Sequence, residues 1–370
     1  MQAQTNGRNG QEEQQSSSWW GVRETPYARW QKEEGIPIYK GSHVEDLHVA
    51  EVKPWARVGQ KGAFINLAAQ EQNDGWIIEI APGGQTEILH HLFESTYYIV
   101  DGRGATTFWQ QGSSKKQTVE WQAGSLFSPP LNCYYQHFNL DGQKPARIFT
   151  ATTAPLQINI SRDVDFVFNN DYVFKDRYNA EDDYFTNPGK KLATRRWQTN
   201  FIPDTRGFKL EEWKERGAGG SNMFFVMSGN AMSAHMSEFP PGSYKKAHAH
   251  GPGAEIIILS GTGYSLLWYK GQPKQMVPWK EGSIFSPKDK EYHQHFNSGP
   301  EPARYLAYTF GGLVVSNTEG RAGADVSEKE GGWQIEYEDE DPDVIERFEQ
   351  ECAKHGAKVT MAHPLRAGAR

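Results

Sequence analysis

The chain has 370 residues, enough for two ordinary domains, each with its own core. Its 37% hydrophobic and 13% aromatic content suits globular β structure, and 37 Gly with 20 Pro suits many short strands and turns. A formal charge of −7 excludes a basic nucleic-acid stripe, and no apolar run reaches the roughly 18 residues that a membrane span needs.

Residues 1–18 are rich in Gln, Ser and Gly and are expected to be a disordered tail with no secretory leader. Two cysteines, Cys133 and Cys352, exclude a disulfide framework, so a cytoplasmic location is expected. Residues 19–62 form an aromatic arm containing W-W, Y-A-R-W and K-P-W, which predicts packing onto a domain surface or a neighbouring subunit.

An internal duplication follows. E-I-A-P-G-G (Glu79–Gly84) answers E-F-P-P-G-S (Glu238–Ser243), and Y-I-V-D-G-R-G (Tyr98–Gly104) answers I-I-L-S-G-T-G (Ile257–Gly263). W-Q-A-G-S-L-F-S-P (Trp121–Pro129) answers W-K-E-G-S-I-F-S-P (Trp279–Pro287). Q-H-F-N occurs at Gln136–Asn139 and Gln294–Asn297, and P-A-R closes both copies at Arg147 and Arg304. A nearly constant offset means a tandem pair of similar domains and not a short-period solenoid. Short apolar segments punctuated by Gly and Pro predict a sandwich or barrel in each. The first copy spans 63–155 and the second 221–315, with a connector at 156–220. A strap and helix occupy 316–370. There Asp341 or Asp343 around Pro342 starts a helix, Gly356 stops it, and Val344, Ile345, Phe348 and Cys352 form its apolar face.

The chemistry concentrates in P-P-G-S-Y-K-K-A-H-A-H-G-P-G-A-E (Pro240–Glu255) and H-Q-H-F-N (His293–Asn297). Residues two apart on a strand share a face, so His248 and His250 project together. Glu255 starts the next strand and His293 arrives from another. Three imidazoles and a carboxylate make a site for a divalent first-row metal with two positions left open. His295 and Asn297 continue the alternation from His293, which makes His295 a candidate catalytic or substrate-contacting residue or, since Q-H-F-N recurs, a folding element. Tyr244, Lys246 and Trp268 are candidate pocket residues.

The spacing G-x5-H-x-H-x4-E, then G-x4-P-x5-H-x3-N, resembles the two motifs of the cupin superfamily. It departs in that Glu255 lies one residue closer to Gly261 than usual, and Pro287–His293 lacks a turn glycine. The resemblance implies an all-β chain of tandem double-stranded β-helix (jelly-roll) barrels with a short C-terminal helix. Aligned on the repeat, Leu89 stands opposite His248, His91 opposite His250, Thr96 opposite Glu255 and Tyr135 opposite His293. Barrel one therefore keeps one ligand of four. A rescue set of His90, His91, Glu94 and His137 is opposed by the adjacency of His90 and His91, which point to opposite faces of a strand.

Two-barrel cupins of this size resemble gentisate-type and flavonol dioxygenases, oxalate decarboxylases, metal-dependent isomerases, and bacterial cupins of unassigned reaction. Gentisate-type enzymes usually hold metal in the first barrel by three histidines alone. The resemblance implies an Fe(II) dioxygenase acting on a small aromatic or carboxylated substrate with dioxygen. A redox-neutral lyase, decarboxylase or isomerase and a non-catalytic small-molecule-binding cupin are the alternatives. Mn, Ni or Zn suit the same donors, and the arm and tail predict a homo-oligomer.

Overall fold

The computed structural model describes residues 24–68, 72–251, 254–311 and 323–366. The expected tail (1–18) and much of the strap after the second copy lie outside the described residues.

Each half of the chain builds two facing, mainly antiparallel sheets, which is the jelly-roll arrangement. In barrel one an eight-stranded sheet, with Asp74–Ile80, Ala146–Thr152 and Ser95–Asp101 at its centre, faces a three-stranded sheet of Tyr134–Asn139, Arg103–Trp109 and Gln117–Gln122. In barrel two a nine-stranded sheet, centred on Ser233–Phe239, Ala303–Thr309 and Glu255–Ser260, faces a six-stranded one. The two large sheets pack against each other. Their alternate residues, including Ile77, Tyr98 and Phe149 from one and Met236, Ile257 and Tyr308 from the other, form a shared apolar layer.

The repeated motifs are scaffold. Gly102 and Gly261 sit at φ +89° and +87°, where a side chain would be strained and would press on Ala146 or Ala303. Gly104 and Gly263 leave room for the rings of Trp121 and Trp279, which a Cβ would overlap. Asn139 and Asn297 each donate through Nδ2 to three carbonyls, closing the turn before the P-A-R strand. Trp121 Nε1 donates to Thr106 Oγ1, which meets His137 Nδ1 at 2.7 Å. Trp279, Ser265 and His295 repeat that trio, with Ser265 Oγ 2.8 Å from His295 Nδ1.

The arm and the connector stitch the barrels together. His43–Val44 of the arm pairs with Ile284–Phe285 of barrel two, while Phe201–Ile202 of the connector pairs with Leu126–Phe127 of barrel one. Ser283 Oγ donates to Glu45 O, and Ser125 Oγ donates to Pro203 O. The backbone N–H of Leu47 donates to Gly282 O, and that of Thr205 donates to Gly124 O. The P-A-R arginines then grip each segment from the opposite barrel. Arg147 donates to Leu47 O and Ala50 O while paired with Glu79. Arg304 donates to the carbonyls of Thr205, Arg206 and Phe208 while paired with Glu238. The duplication therefore extends to residues 43–47 and 201–205, which the sequence motifs do not reveal.

Helix α1 (Pro26–Glu33) starts on Pro26, with Thr25 Oγ1 accepting from Ala28 N–H, and buries Tyr27 and Trp30 against barrel one. The connector contributes α2 (Ala154–Ser161) and α3 (Val164–Phe168). Helix α4 (Pro342–Lys354) is followed by Gly356 at φ +68° and lays Val344, Ile345, Phe348 and Cys352 on the outer face of the small sheet of barrel two. Among the described residues, Tyr27 and Trp30 of the arm and the apolar face of α4 are thus covered by the chain's own barrels.

Candidate metal centre

The strand Ala247–His248 pairs antiparallel with Tyr292–Asn297, placing His248 directly across from His293. Ala247 and Ala249 pack outward beneath α4, so His248 and His250 turn inward. The ring centroids of His248 and His293 are 4.2 Å apart, and those of His250 and His293 are 4.9 Å apart. One ligand nitrogen from each of His248, His250 and His293 lies within 4.8 Å of the others. Among the described residues this is the one group of His, Cys, Asp and Glu that can hold a metal ion.

The donor chemistry fits a divalent metal. His293 donates Nδ1–H to Glu291 O at 3.0 Å, and His248 approaches Lys246 O through Nδ1 at 3.4 Å. A carbonyl can only accept, so each ring carries its proton on Nδ1 and its lone pair on Nε2, the orientation that metal-binding histidines use. Burial, with positive Arg216 nearby, holds His248 well below the usual imidazole range, and hence neutral.

Glu255, expected as the fourth ligand, is elsewhere. It begins the strand Glu255–Ser260, in which Ile257 and Leu259 face the layer between the barrels while Ala254, Ile256 and Ile258 face the interior. Glu255 shares the parity of Ile257. Its carboxylate therefore leaves barrel two and approaches Gly75 and Asp74 of barrel one. The one-residue shortening toward Gly261 has this consequence, because a slip of one residue moves a side chain to the other face. Ala254 takes the interior position instead.

Glu255 is fully buried beside the Asn73 side chain, the one hydrogen-bonding group that favours its charged form. Burial and the neighbouring Asp74 push it well above the usual carboxylate range. Burial also raises Asp74, to about 7, although Tyr27, Gln31 and Asn66 donate to it.

Tyr244 and Trp268 belong to the outer layer under α4, and Lys246 pairs with Glu336, so none of the three lines the interior as expected. The lysine that does is Lys245, 1% exposed, with Nζ donating to Ser237 Oγ and Tyr305 Oη. Its ammonium sits 4.8 Å from the Tyr305 ring centroid and 5.1 Å from that of Phe239. Burial, with Arg216 nearby, drives it well below the usual lysine range. Tyr244 and Ala247, an odd number of positions apart, both face outward, so alternation breaks between the strands and the sequence offered no sign of it. His295 lies inside, its centroid 5.5 Å from that of His293 and 5.3 Å from that of Tyr305.

Barrel one answers this site with different chemistry. Leu89 bridges to Tyr135 where His248 pairs with His293. His91 Nδ1–H donates to Phe93 O, and its Nε2 accepts from the Tyr135 hydroxyl at 2.9 Å. The tyrosine thus satisfies the nitrogen that a metal would use. Burial lowers His91 to about 3 and His137 to about 3. The rescue set is dispersed: His90 donates to Asn170 O, Glu94 accepts from Arg177 and from the backbone of Ala231 and Met232, and His137 meets Thr106.

No protein-family model matches the chain, and no curated protein matches it in sequence. Solved structures do resemble it. Two mutants of the Bacillus subtilis oxalate decarboxylase OxdC are 12% and 13% identical, with TM-scores of 0.50, over 74% of this chain and 78% of theirs. The Lactobacillus farciminis oxalate decarboxylase in its formate complex is 13% identical over 73% of this chain and 87% of its own, with a TM-score of 0.49. At such identities the likeness to the OxdC structures is one of fold, and the fold is that of a two-barrel cupin.

Proposed function

We propose that the interior of barrel two is the active site of a metal-dependent enzyme, an iron(II) dioxygenase that acts on a small carboxylated substrate. The observation that carries this reading is the convergence of His248, His250 and His293 in the barrel that also buries Lys245. A bound metal supplies open coordination positions and, as iron(II), redox partnership with dioxygen. Manganese, nickel and zinc suit the same donors. Gentisate-type enzymes likewise use three histidines without a carboxylate, but in the first barrel, whereas here the set lies in the second.

The protein's own residues do the rest. Lys245 pairs with the substrate carboxylate, which turns a costly buried amine into a partnered ammonium. Tyr305 and Ser237 hold that amine in place. His295, propped by Ser265, stands beside His293 to contact the reacting end of the substrate or to exchange a proton with it. Apolar walls from Phe239, Ile256 and Phe285 keep the site dry and the substrate oriented.

A redox-neutral decarboxylase or lyase is the second reading, supported by the oxalate decarboxylase fold neighbours and by the same Lys245. Elemental analysis of the purified protein, followed by oxygen uptake with hydroxylated aromatic acids and with dicarboxylates, separates the two. Oxygen consumed in step with substrate supports the dioxygenase. Turnover under strict anaerobiosis, or equal activity with zinc, moves the assignment to the lyase. Saturable binding without turnover in either atmosphere leaves a binding protein.

A further inference from the structure

Two of the three ligand histidines lean on one short turn. Between Pro287 and His293 the N–H of Glu291 donates back to Lys288 O at 3.1 Å, and the Glu291 carboxylate accepts the N–H of Lys288 at 2.8 Å. The closed turn then reaches both neighbouring strands of the site. Lys290 N–H donates to His250 O at 3.0 Å, and Glu291 O accepts Nδ1–H of His293 at 3.0 Å. Asp289 lies so close to Gly251, the residue after His250, that a Cβ there would overlap its Oδ1. On the far side Asp289 O accepts from the Tyr269 hydroxyl at 3.2 Å, which ties the turn to the rest of the barrel.

Lys290 carries this turn in a conformation that its side chain disfavours. Its φ is +55°, in the left-handed region that glycine enters freely and a residue with a Cβ enters at a cost. Such strain persists where the surrounding bonds over-determine it, and it gathers at functional sites. Asn132 holds the same place in barrel one, three residues before Tyr135 as Lys290 is before His293, and has φ +58°. Asparagine tolerates that region better, and there its amide donates to Asn170 O and Tyr172 O of the connector. The Lys290 side chain is exposed instead. What the strained backbone secures in barrel two is the N–H aimed at His250 O.

We propose that Lys290 is a positioning residue of the metal centre. Its left-handed turn holds His250 through the main chain and His293 through Glu291 O, so that both rings stand beside His248 before an ion arrives. The proposal rests on the metal site of barrel two and is independent of the reaction assigned to it.

The test is titration of the full-length, metal-stripped protein with cobalt(II) alone, read by visible absorption, which follows both occupancy and ligand geometry. Lys290→Pro cannot reach a positive φ and has no N–H to give. It should bind cobalt at least tenfold more weakly and with an altered spectrum, as loss of an outer partner of ligand histidines does. Lys290→Gly keeps the N–H and enters the turn freely, so its affinity should stay within threefold of native and its spectrum should not change. Asn132→Pro breaks the matching turn of barrel one and should also stay within threefold. Glu291→Ala removes only the carboxylate that closes the turn, and it decides the matter if Lys290→Pro does not fold; it should weaken cobalt at least threefold. Native affinity in Lys290→Pro, or in Glu291→Ala where the proline variant does not fold, overturns the proposal. So does an equal loss in Asn132→Pro or in Lys290→Gly. Failure of the native chain to bind cobalt overturns the metal centre itself, and the proposal with it.

Discussion

The two barrels share one skeleton and differ in what they place on it. Both carry the Trp–hydroxyl–His trio, the Asn clip and the P-A-R arginine. At one antiparallel pair they part. His248 faces His293 in barrel two, and Leu89 faces Tyr135 in barrel one. The features that recur hold the fold, and those that differ carry chemistry. By that rule the trio around His295 is scaffold first, because His137 builds it in a barrel whose remaining interior histidine, His91, is already satisfied by Phe93 O and Tyr135.

The largest expected difference is in metal content. His250→Ala should cut bound metal at least tenfold, while Tyr135→Phe in barrel one should leave it at one ion per chain. Metal bound only to the native state at a hundredfold excess over its Kd adds about 2.7 kcal/mol, so a chelator should lower the Tm of the native protein but not of His250→Ala. The reciprocal experiment is sharper. His91 already stands where His250 does, so Leu89→His combined with Tyr135→His should raise the stoichiometry toward two. Two ions in the unaltered chain, or none after loading with iron, manganese, nickel and zinc in turn, would break the contrast.

The arginine grips should differ in size but not in kind. Arg304→Ala removes a pair with Glu238 and strips three carbonyls of their donor, for a loss of about 3 kcal/mol. Arg147→Ala strips two carbonyls and should cost less. Urea midpoints measure both. A loss confined to one barrel's transition would mean that the segments do not couple the barrels.

Lys245→Met probes the cation that barrel two buries. An apolar side chain of similar length should stabilise the protein by ~1 kcal/mol, because it removes a buried amine with no acid at hydrogen-bond distance. KM for a carboxylated substrate should rise at least tenfold, with metal content unchanged. A loss of stability with an unchanged KM would make Lys245 a packing residue.

The sequence made the duplication, the barrel class, the terminal helix and three histidines legible, because each rests on local pattern: constant offset, turn glycines, apolar spacing and H-x-H alternation. What it hid depends on register. Glu255 has the right residue type at nearly the right distance, and one position reverses its face. Lys245 and not Lys246 faces the interior because the alternation breaks between Tyr244 and Ala247. The pairing of residues 43–44 and 201–202 with opposite barrels was also hidden, since two-residue strands leave no periodicity to read and their partners lie more than 70 positions away.

A pH-dependent effect concerns the layer where the barrels meet. The folded state holds Asp74 near 7 and Glu255 well above its ordinary value, chiefly because both are buried. A carboxyl whose folded pKa is raised binds more protons folded than unfolded. Stability should therefore fall as pH rises from about 4 through 7, by at most about 1.4 kcal/mol per pH unit for each group. Glu255→Gln keeps the shape and removes one of the two titrating groups, so the variant should gain on the native protein between pH 5 and pH 8 and show a flatter profile. Chemical denaturation at four pH values measures this. Metal content serves as the control, since Glu255 faces barrel one and the variant should keep its ion. Loss of the ion in Glu255→Gln would return this carboxylate to the metal centre and erase the distinction between the two faces of its strand.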